Sequence, residues 1–442
     1  MKLITKLVVM SILPLLTNAQ FVNNKVNFQK NESWEAVLEK AKSEHKNIFI
    51  DAYATWCGPC KQMDAIVFTD ATVGNLVNEN FIAIKVQFDR TSQDDENIKK
   101  WYENAETIMK KYNITGFPTS LFISPDGQLL HKAIGYQSVP EFIKTLNIAI
   151  NDKMNFLGQI ARFRQGQMEK DDIMQLALLA NEYQRDTLAL DIASFYKINV
   201  VEKTSPEHLL NPRFLSFIAT FPALFKNDDT LVSFLYNHQS LADSLLGNKG
   251  YASQFINYVI HRDFINPIIK PGDAYTDKHP NWKLVQQRIT ATYDDVVAKK
   301  TVLSAKIGWY SHWKDWKNAI KFNIEKLDSE GIDTVGFAGS TVNNMVFNVI
   351  FLHGKDKAVL KKGIGYMEYL LRGHPDKDSW LDTYANLLFK VGCRKGAIKN
   401  EKLALSIAQK RGDVGRIQEY MDNLKKMENG LPTWTLPDAN EN

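Results

Sequence analysis

The chain has 442 residues, 44% hydrophobic and 24% charged, an ordinary globular balance that argues against disorder and fibrous repeats. Lysine and arginine number 54 against 50 acidic residues, and the net +4 is concentrated in no segment, so a nucleic-acid partner is not expected. Three cysteines cannot staple a disulfide scaffold, and the nine histidines are scattered without ligand spacing, so neither a metal site nor a cofactor is expected.

Residues 1–20 read as a secretory signal. Lys2 and Lys6 supply a positive start, Leu7 to Leu16 is apolar apart from Ser11 and Pro14, and Thr17-Asn18-Ala19 offers a cleavage site. That apolar run is far shorter than the ~20 residues of a spanning helix. No later run reaches spanning length. The mature chain is therefore expected to be soluble and exported across the inner membrane, into the bacterial periplasm.

Residues 21–150 form one α/β unit. Trp34, Val37, Leu38 and Ala41 recur at helical spacing between Ser33 and Lys46. Ile48-Phe49-Ile50 is a continuous apolar run typical of a buried central strand, and Asp51 stands at its end. Phe81 to Phe88 is a second strand. Thr119 to Ser124 and Leu129 to Ile134 form a hairpin about Pro125-Asp126-Gly127. Ser138 and Glu141 make a capping box that opens a helix from Val139 to Ile150. The order of elements suits a mixed central sheet with helices on both faces. Such a unit, closed by its own terminal helix, is expected to fold without help from the rest of the chain.

Cys57-Gly58-Pro59-Cys60 follows the first strand, where the chain turns into a helix. The helix amino end presents unpaired N–H groups and partial positive charge to the first sulfur, which stabilises its thiolate. The two-residue spacing brings the second sulfur within disulfide reach, where it resolves a mixed disulfide. Cys57 is thus expected to be the exposed nucleophile and Cys60 the buried resolver. A permanent disulfide and half of a zinc site are the alternatives. Zinc would want a second ligand pair, and only the distant Cys393 remains.

Trp56-Cys57-Gly58-Pro59-Cys60-Lys61 together with Gly116-Phe117-Pro118-Thr119 resembles the thioredoxin family over about a quarter of the chain. The resemblance implies an α/β thioredoxin fold and a redox disulfide between Cys57 and Cys60. It also implies that Pro118 is cis and faces the cysteines, with Trp56, Gly58, Pro59 and Phe117 completing the substrate surface. On pattern alone Asp51 is an ordinary strand-end carboxylate, and Lys85 an ordinary solvated strand lysine. By resemblance Asp51 is the buried acid that relays a proton from the resolving thiol, and Lys85 pairs with it. Phe68-Thr69-Asp70, with Val73, Leu76 and Phe81, resembles the exported branch that includes the carboxy-terminal domain of DsbD. Residues 90–103 look like an insertion, read as a polar surface helix near the site.

From residue 151 the chain is helical. Ile173, Leu176, Ala177, Leu179 and Ala180 mark one amphipathic helix within 171–185, and a polar loop runs from Lys270 to about Asn281. Residues 151–296 are read as a helical domain of no assigned family. Residues 297–430 resemble tetratricopeptide repeats. Ala385, Gly392, Ala397, Ile398, Ala404 and Leu405 fit one copy, Gly363, Leu371 and Pro375 a second, and Trp316, Ala319, Ile320 and Leu327 a looser third. A generic helical bundle is the alternative. Trp309, Trp313 and Trp316 are expected to pack between helices, Cys393 to be incidental, and residues 431–442 to form a loose tail on which only Trp434 is placed to dock.

Two functions follow. The first is an exported protein-disulfide reductase acting on disulfide-containing proteins and supplied with electrons by a DsbD-like membrane thiol donor. The second is a helical-repeat binding protein whose redox unit is secondary. In both, the helical half is expected to bind a protein partner.

Overall fold

In the computed structural model, the description covers residues 25–30, 33–334 and 336–434. The signal segment 1–20 and the tail beyond Trp434 lie outside it. The chain divides into two units, Met1–Leu224 and Phe225–Asn442. The division falls inside the 151–296 stretch.

In the first unit, α1 (Trp34–Glu44) starts where the Ser33 hydroxyl accepts the Ala36 N–H at 3.2 Å, and it buries Trp34, Val37 and Ala41. There follow β1 (Asn47–Tyr53), α2 (Gly58–Gln62) running on into a π-helical turn (Met63–Val67), α3 (Ala71–Asn80) and β2 (Phe81–Gln87). Next come α4 (Glu96–Lys100), α5 (Tyr102–Tyr112), β3 (Thr119–Ile123), β4 (Leu129–Ile134) and α6 (Val139–Ile150). The sheet order is β2-β1-β3-β4, with β1 parallel to β2 and antiparallel to β3, and β3 antiparallel to β4. This is a mixed sheet flanked by helices. Strand β1 outlasts the Ile48–Ile50 run, so Asp51 lies within the strand rather than at its end. It is buried throughout from Ile48 to Ala52, as a central strand covered on both faces must be. Gly127 takes φ 72° in the β3–β4 turn and donates its N–H to Ser124 O. The Ser138 N–H and hydroxyl both donate to Glu141 Oε2 at 2.7 Å, fixing the start of α6.

One core lies between the sheet and α3 and α6. Phe49 stacks on Phe122 at 5.2 Å, and Phe68, Phe81 and Phe142 close around them. Each ring so buried contributes roughly 1.5–3 kcal/mol.

Both edges of the sheet are covered. On the β2 side the Gln29 N–H donates to Ala83 O at 2.8 Å, and the Val26 N–H reaches Phe68 O. On the β4 side the Lys132 N–H donates to the Tyr183 hydroxyl at 3.0 Å. Tyr183 follows α7 (Phe156–Arg164) and α8 (Lys170–Glu182) and meets the Phe156 ring edge-on at 5.0 Å. The α/β unit thus takes a buried hydrogen-bond acceptor from beyond residue 150. Helices α9 (Asp186–Asn199), α10 (Pro206–Leu209) and α11 (Pro212–Thr220) complete the first unit.

The second unit holds α12 (Thr230–Asn237), α13 (Gln239–Leu246), α14 (Tyr251–Ile260), α15 (Asn266–Ile269), α16 (Trp282–Thr292), α17 (Asp295–His312) and α18 (Trp316–Glu330). It continues with α19 (Ala338–Met345), α20 (Lys357–Gly373), α21 (Asp378–Lys390), α22 (Arg394–Arg411) and α23 (Val414–Asn429). From α20 to α23 each helix packs on the next. Ala385, Ala397 and Ala404 are fully buried, and a Cβ on Gly363 would come within 2.9 Å of Ile350 Cγ2. Small residues thus occupy buried positions between these helices. Trp309 is buried against Trp282 and His279, and Trp316 stacks on His353 at 3.7 Å. Trp313 departs from the expected packing. It closes the end of α17 and is 44% exposed, because its indole N–H turns out to Thr276 O in the 270–281 loop. Trp434 docks against Phe351 and Phe389, beneath the Lys390 ammonium. No helix among the described residues is long and apolar enough to cross a membrane.

Candidate active site

The loop after β1 delivers Cys57 to the N-cap of α2, where its sulfur accepts the Cys60 N–H at 3.1 Å. Pro59 sits in the first turn, where a missing N–H breaks no helical bond. Cys57 and Cys60 are joined as a disulfide, with Cα atoms 5.3 Å apart. The expected contrast in exposure is not found: Cys57 is 2% exposed and Cys60 3%. Both pack with Ala54 under Tyr53 and Phe117, so the joined sulfurs share one apolar cover. Trp56 next to them is 71% exposed.

The Phe117–Pro118 peptide is cis. Phe117 lies between two rings, Trp56 at 6.1 Å and Phe88 at 5.7 Å, making an aromatic wall beside the dithiol. The next turn is tied down by the Thr119 hydroxyl, which donates to Gly116 O, and by the Gly135 N–H, which donates to Pro118 O, both at 2.7 Å.

Strands β1 and β2 and the helix that carries the cysteines bring together an acid–base cluster. Parallel register sets Lys85 of β2 opposite Asp51 of β1, and the ammonium is 3.3 Å from Asp51 Oδ2. Asp51 is 1% exposed, and neither oxygen has a well-aligned hydrogen-bond donor. Burial raises its carboxyl to about 6, with Lys85 opposing and Asp64 reinforcing the rise. Lys85 also bonds Asp64, one helical turn beyond Cys60, and lies over the Tyr53, Phe28 and Phe68 rings. An acid that titrates near pH 6 is chemically suited to exchange a proton with a thiol.

The insertion is fastened to this site through Asp89. Its carboxylate accepts both the Thr55 N–H, at 2.9 Å, and the Thr55 hydroxyl, two residues before Cys57. Asp94 then gathers the Thr91 N–H and hydroxyl, the Tyr102 hydroxyl and the Gln87 amide, which hold it well below the usual carboxylate range. Helix α4 follows as a short exposed turn.

Residues 34–150 match the family model described as a thioredoxin-like domain. This stretch is a thioredoxin-like domain. The thiol:disulfide interchange protein DsbD of Actinobacillus pleuropneumoniae serotype 5b (strain L20) is 30% identical over 129 residues, 28% of this chain and 20% of that protein. DsbD of Colwellia psychrerythraea (strain 34H / ATCC BAA-681) is 29% identical over 131 residues, 27% of this chain and 20% of that protein. The chain thus spans about a fifth of the length of these relatives. Among solved structures, the oxidised C-terminal domain of Neisseria meningitidis DsbD is 25% identical, with TM-score 0.20, covering 25% of this chain and 87% of that one.

Within the thioredoxin-like domain, Cys57 and Cys60 come together under Phe117, whose ring meets Trp56, and Asp51 pairs with Lys85. Sequence reasoning missed Asp64, Asp89 and Thr55. For Asp64 a signal was present: four residues past Cys60 it returns to the same helix face. For Asp89 and Thr55 none was, because their pairing depends on the path of the insertion.

Proposed function

We propose that the chain is an exported thiol–disulfide oxidoreductase that reduces protein disulfides. The observation that carries this reading is the Cys57–Cys60 disulfide at the head of α2, where a main-chain N–H already points at the Cys57 sulfur. In the reduced protein the Cys57 thiolate attacks a substrate disulfide and releases one substrate thiolate, leaving a mixed disulfide. Cys60 gives up its proton and attacks the Cys57 sulfur. The second substrate thiolate leaves, and the Cys57–Cys60 disulfide is restored. Asp51 accepts the Cys60 proton, and Lys85 limits how far burial raises that acid. Trp56, Gly58, Pro59, Phe117 and Pro118 hold the substrate strand. Pro59 resembles the reducing members, near ~−270 mV, rather than DsbA, near ~−120 mV.

Two electrons must be returned after each cycle, which in the periplasm calls for a membrane thiol donor of the DsbD kind. Export through the 1–20 segment, a thioredoxin-like domain over 21–150, tetratricopeptide-like repeats over 297–430, and a protein partner on the helical half belong to the same proposal. Insulin reduction by the purified chain, with dithiothreitol as electron source, tests it. Turbidity should rise with the wild type and stay at background with Cys57→Ser. Equal rates for the two would end the redox reading and leave the binding protein.

A further inference from the structure

Two buried carboxyls stand one turn apart on α21 in contrasting surroundings. Asp378, 3% exposed, accepts from Arg411 at 2.8 Å, Arg416 at 2.9 Å and the Tyr420 hydroxyl at 3.2 Å. Burial opposes its ionisation, but these partners hold it below the usual carboxylate range. Asp382, 6% exposed, pairs with no cation among the described residues. Its Oδ1 accepts the side-chain amides of Asn386 at 2.8 Å and Asn423 at 3.1 Å, and its other neighbour is the carboxyl of Glu401 from α22. Glu401 is fully buried, and neither of its oxygens has a well-aligned donor. Asn386 Oδ1 is left in the same state.

Two ionised carboxylates here would be both desolvated and mutually repelled. One proton relieves both costs, because a protonated carboxyl donates to its neighbour. We propose that Asp382 and Glu401 share a proton and form a pH-sensitive latch joining α21, α22 and α23. The other groups facing the pair sharpen it. Glu419 on α23 adds negative charge, and Asn423 on the same helix is neutral. Of the cations on these helices, Arg411 and Arg416 are engaged by Asp378, and Lys402 by Glu428. Burial first, and then the neighbouring carboxylates, raise both acids well above the usual range. The folded chain therefore keeps a proton that the unfolded chain gives up at ordinary carboxyl pH. The stability this confers is complete below the ordinary carboxyl range and is lost as pH rises from that range through the raised one. The latch is independent of the redox chemistry.

Hydrogen exchange on the full chain, corrected for intrinsic rates and followed from pH 6 to 9, tests the proposal. Protection of α21, α22 and α23 should fall about tenfold or more across that range, since one proton can account for up to tenfold per pH unit. Protection of α17 should stay level. Glu401→Gln supplies a permanent donor to Asp382 and should flatten the slope to within about twofold. Asp382→Asn should do the same from the other side, and it decides the matter if the first variant does not fold. A flat wild-type profile, or a wild-type slope retained in either folded variant, overturns the latch. So does restoration of protection at pH 9 by calcium or magnesium chloride, which would assign the site to a hard cation instead.

Discussion

Asp51 and Lys85 occupy one register position of the parallel β1–β2 pair, and the same ammonium reaches onward to Asp64 on the helix that carries the cysteines. One cation thus serves two acids of different exposure. Asp64 lies towards the surface. Asp51 is sealed in the sheet and is left with the weaker contact, so burial prevails and its carboxyl titrates at about 6. Asp51→Asn removes a group whose folded pKa lies above its unfolded value. The variant should therefore gain stability as pH rises through 6, by up to about 3 kcal/mol at pH 8, with little gain at pH 4. Urea unfolding at the two pH values measures the difference. The same variant should accumulate mixed disulfide with a slow substrate, because the resolving thiol loses its proton acceptor.

The N–H donated to Cys57 should keep its thiolate populated below the ~8.5 of a free cysteine once the protein is reduced. Iodoacetamide labelling followed by peptide mapping should find Cys57 modified ahead of Cys60 at pH 7. Cys60→Ser should trap a stable mixed disulfide with a protein substrate, and Cys57→Ser should trap none. Faster labelling of Cys60 would reverse the two roles.

The Tyr183 hydroxyl is the acceptor for a buried main-chain N–H of β4. Tyr183→Phe leaves that donor unpaired and should cost about 1–3 kcal/mol. A fragment of residues 25–204 should accordingly melt above a fragment of 25–150. Equal melting temperatures would show that water replaces the phenol without loss.

Gly363 admits Ile350 to the surface of α20. Gly363→Leu would force α20 and the π-helical turn Val346–Phe351 apart and should lower stability by about 1–3 kcal/mol, read by calorimetry. Gly365 on the same helix meets no neighbour, so Gly365→Leu is the matched control and should be close to neutral.

The thioredoxin-like domain was legible because its signals are local. Strand runs, the Gly127 turn, the Ser138–Glu141 box and the Cys57–Cys60 spacing each fix a few neighbouring residues. Asp51 gained meaning only through the family resemblance, since a lone acid in an apolar strand has no periodicity to betray its partner. Sulfur exposure was misjudged because part of the cover comes from Phe117, sixty residues away in the chain. The sheet edges were invisible for the same reason. In the helical half, Ala385, Ala397 and Ala404 show that small residues foretell close approach, but not which repeat class the helices follow. The pairing of Asp382 with Glu401 joins different helices, and an acid on an amphipathic helix ordinarily reads as a solvated one.

The bond between Lys132 and Tyr183 spans 51 residues, and this sets an order of events during synthesis. At about 5–20 residues per second, β4 leaves the ribosome roughly 3–10 seconds before its acceptor. Throughout that interval the strand's outer edge is an open template, and any extended chain nearby, including a sister copy on the same message, competes with Tyr183 for it.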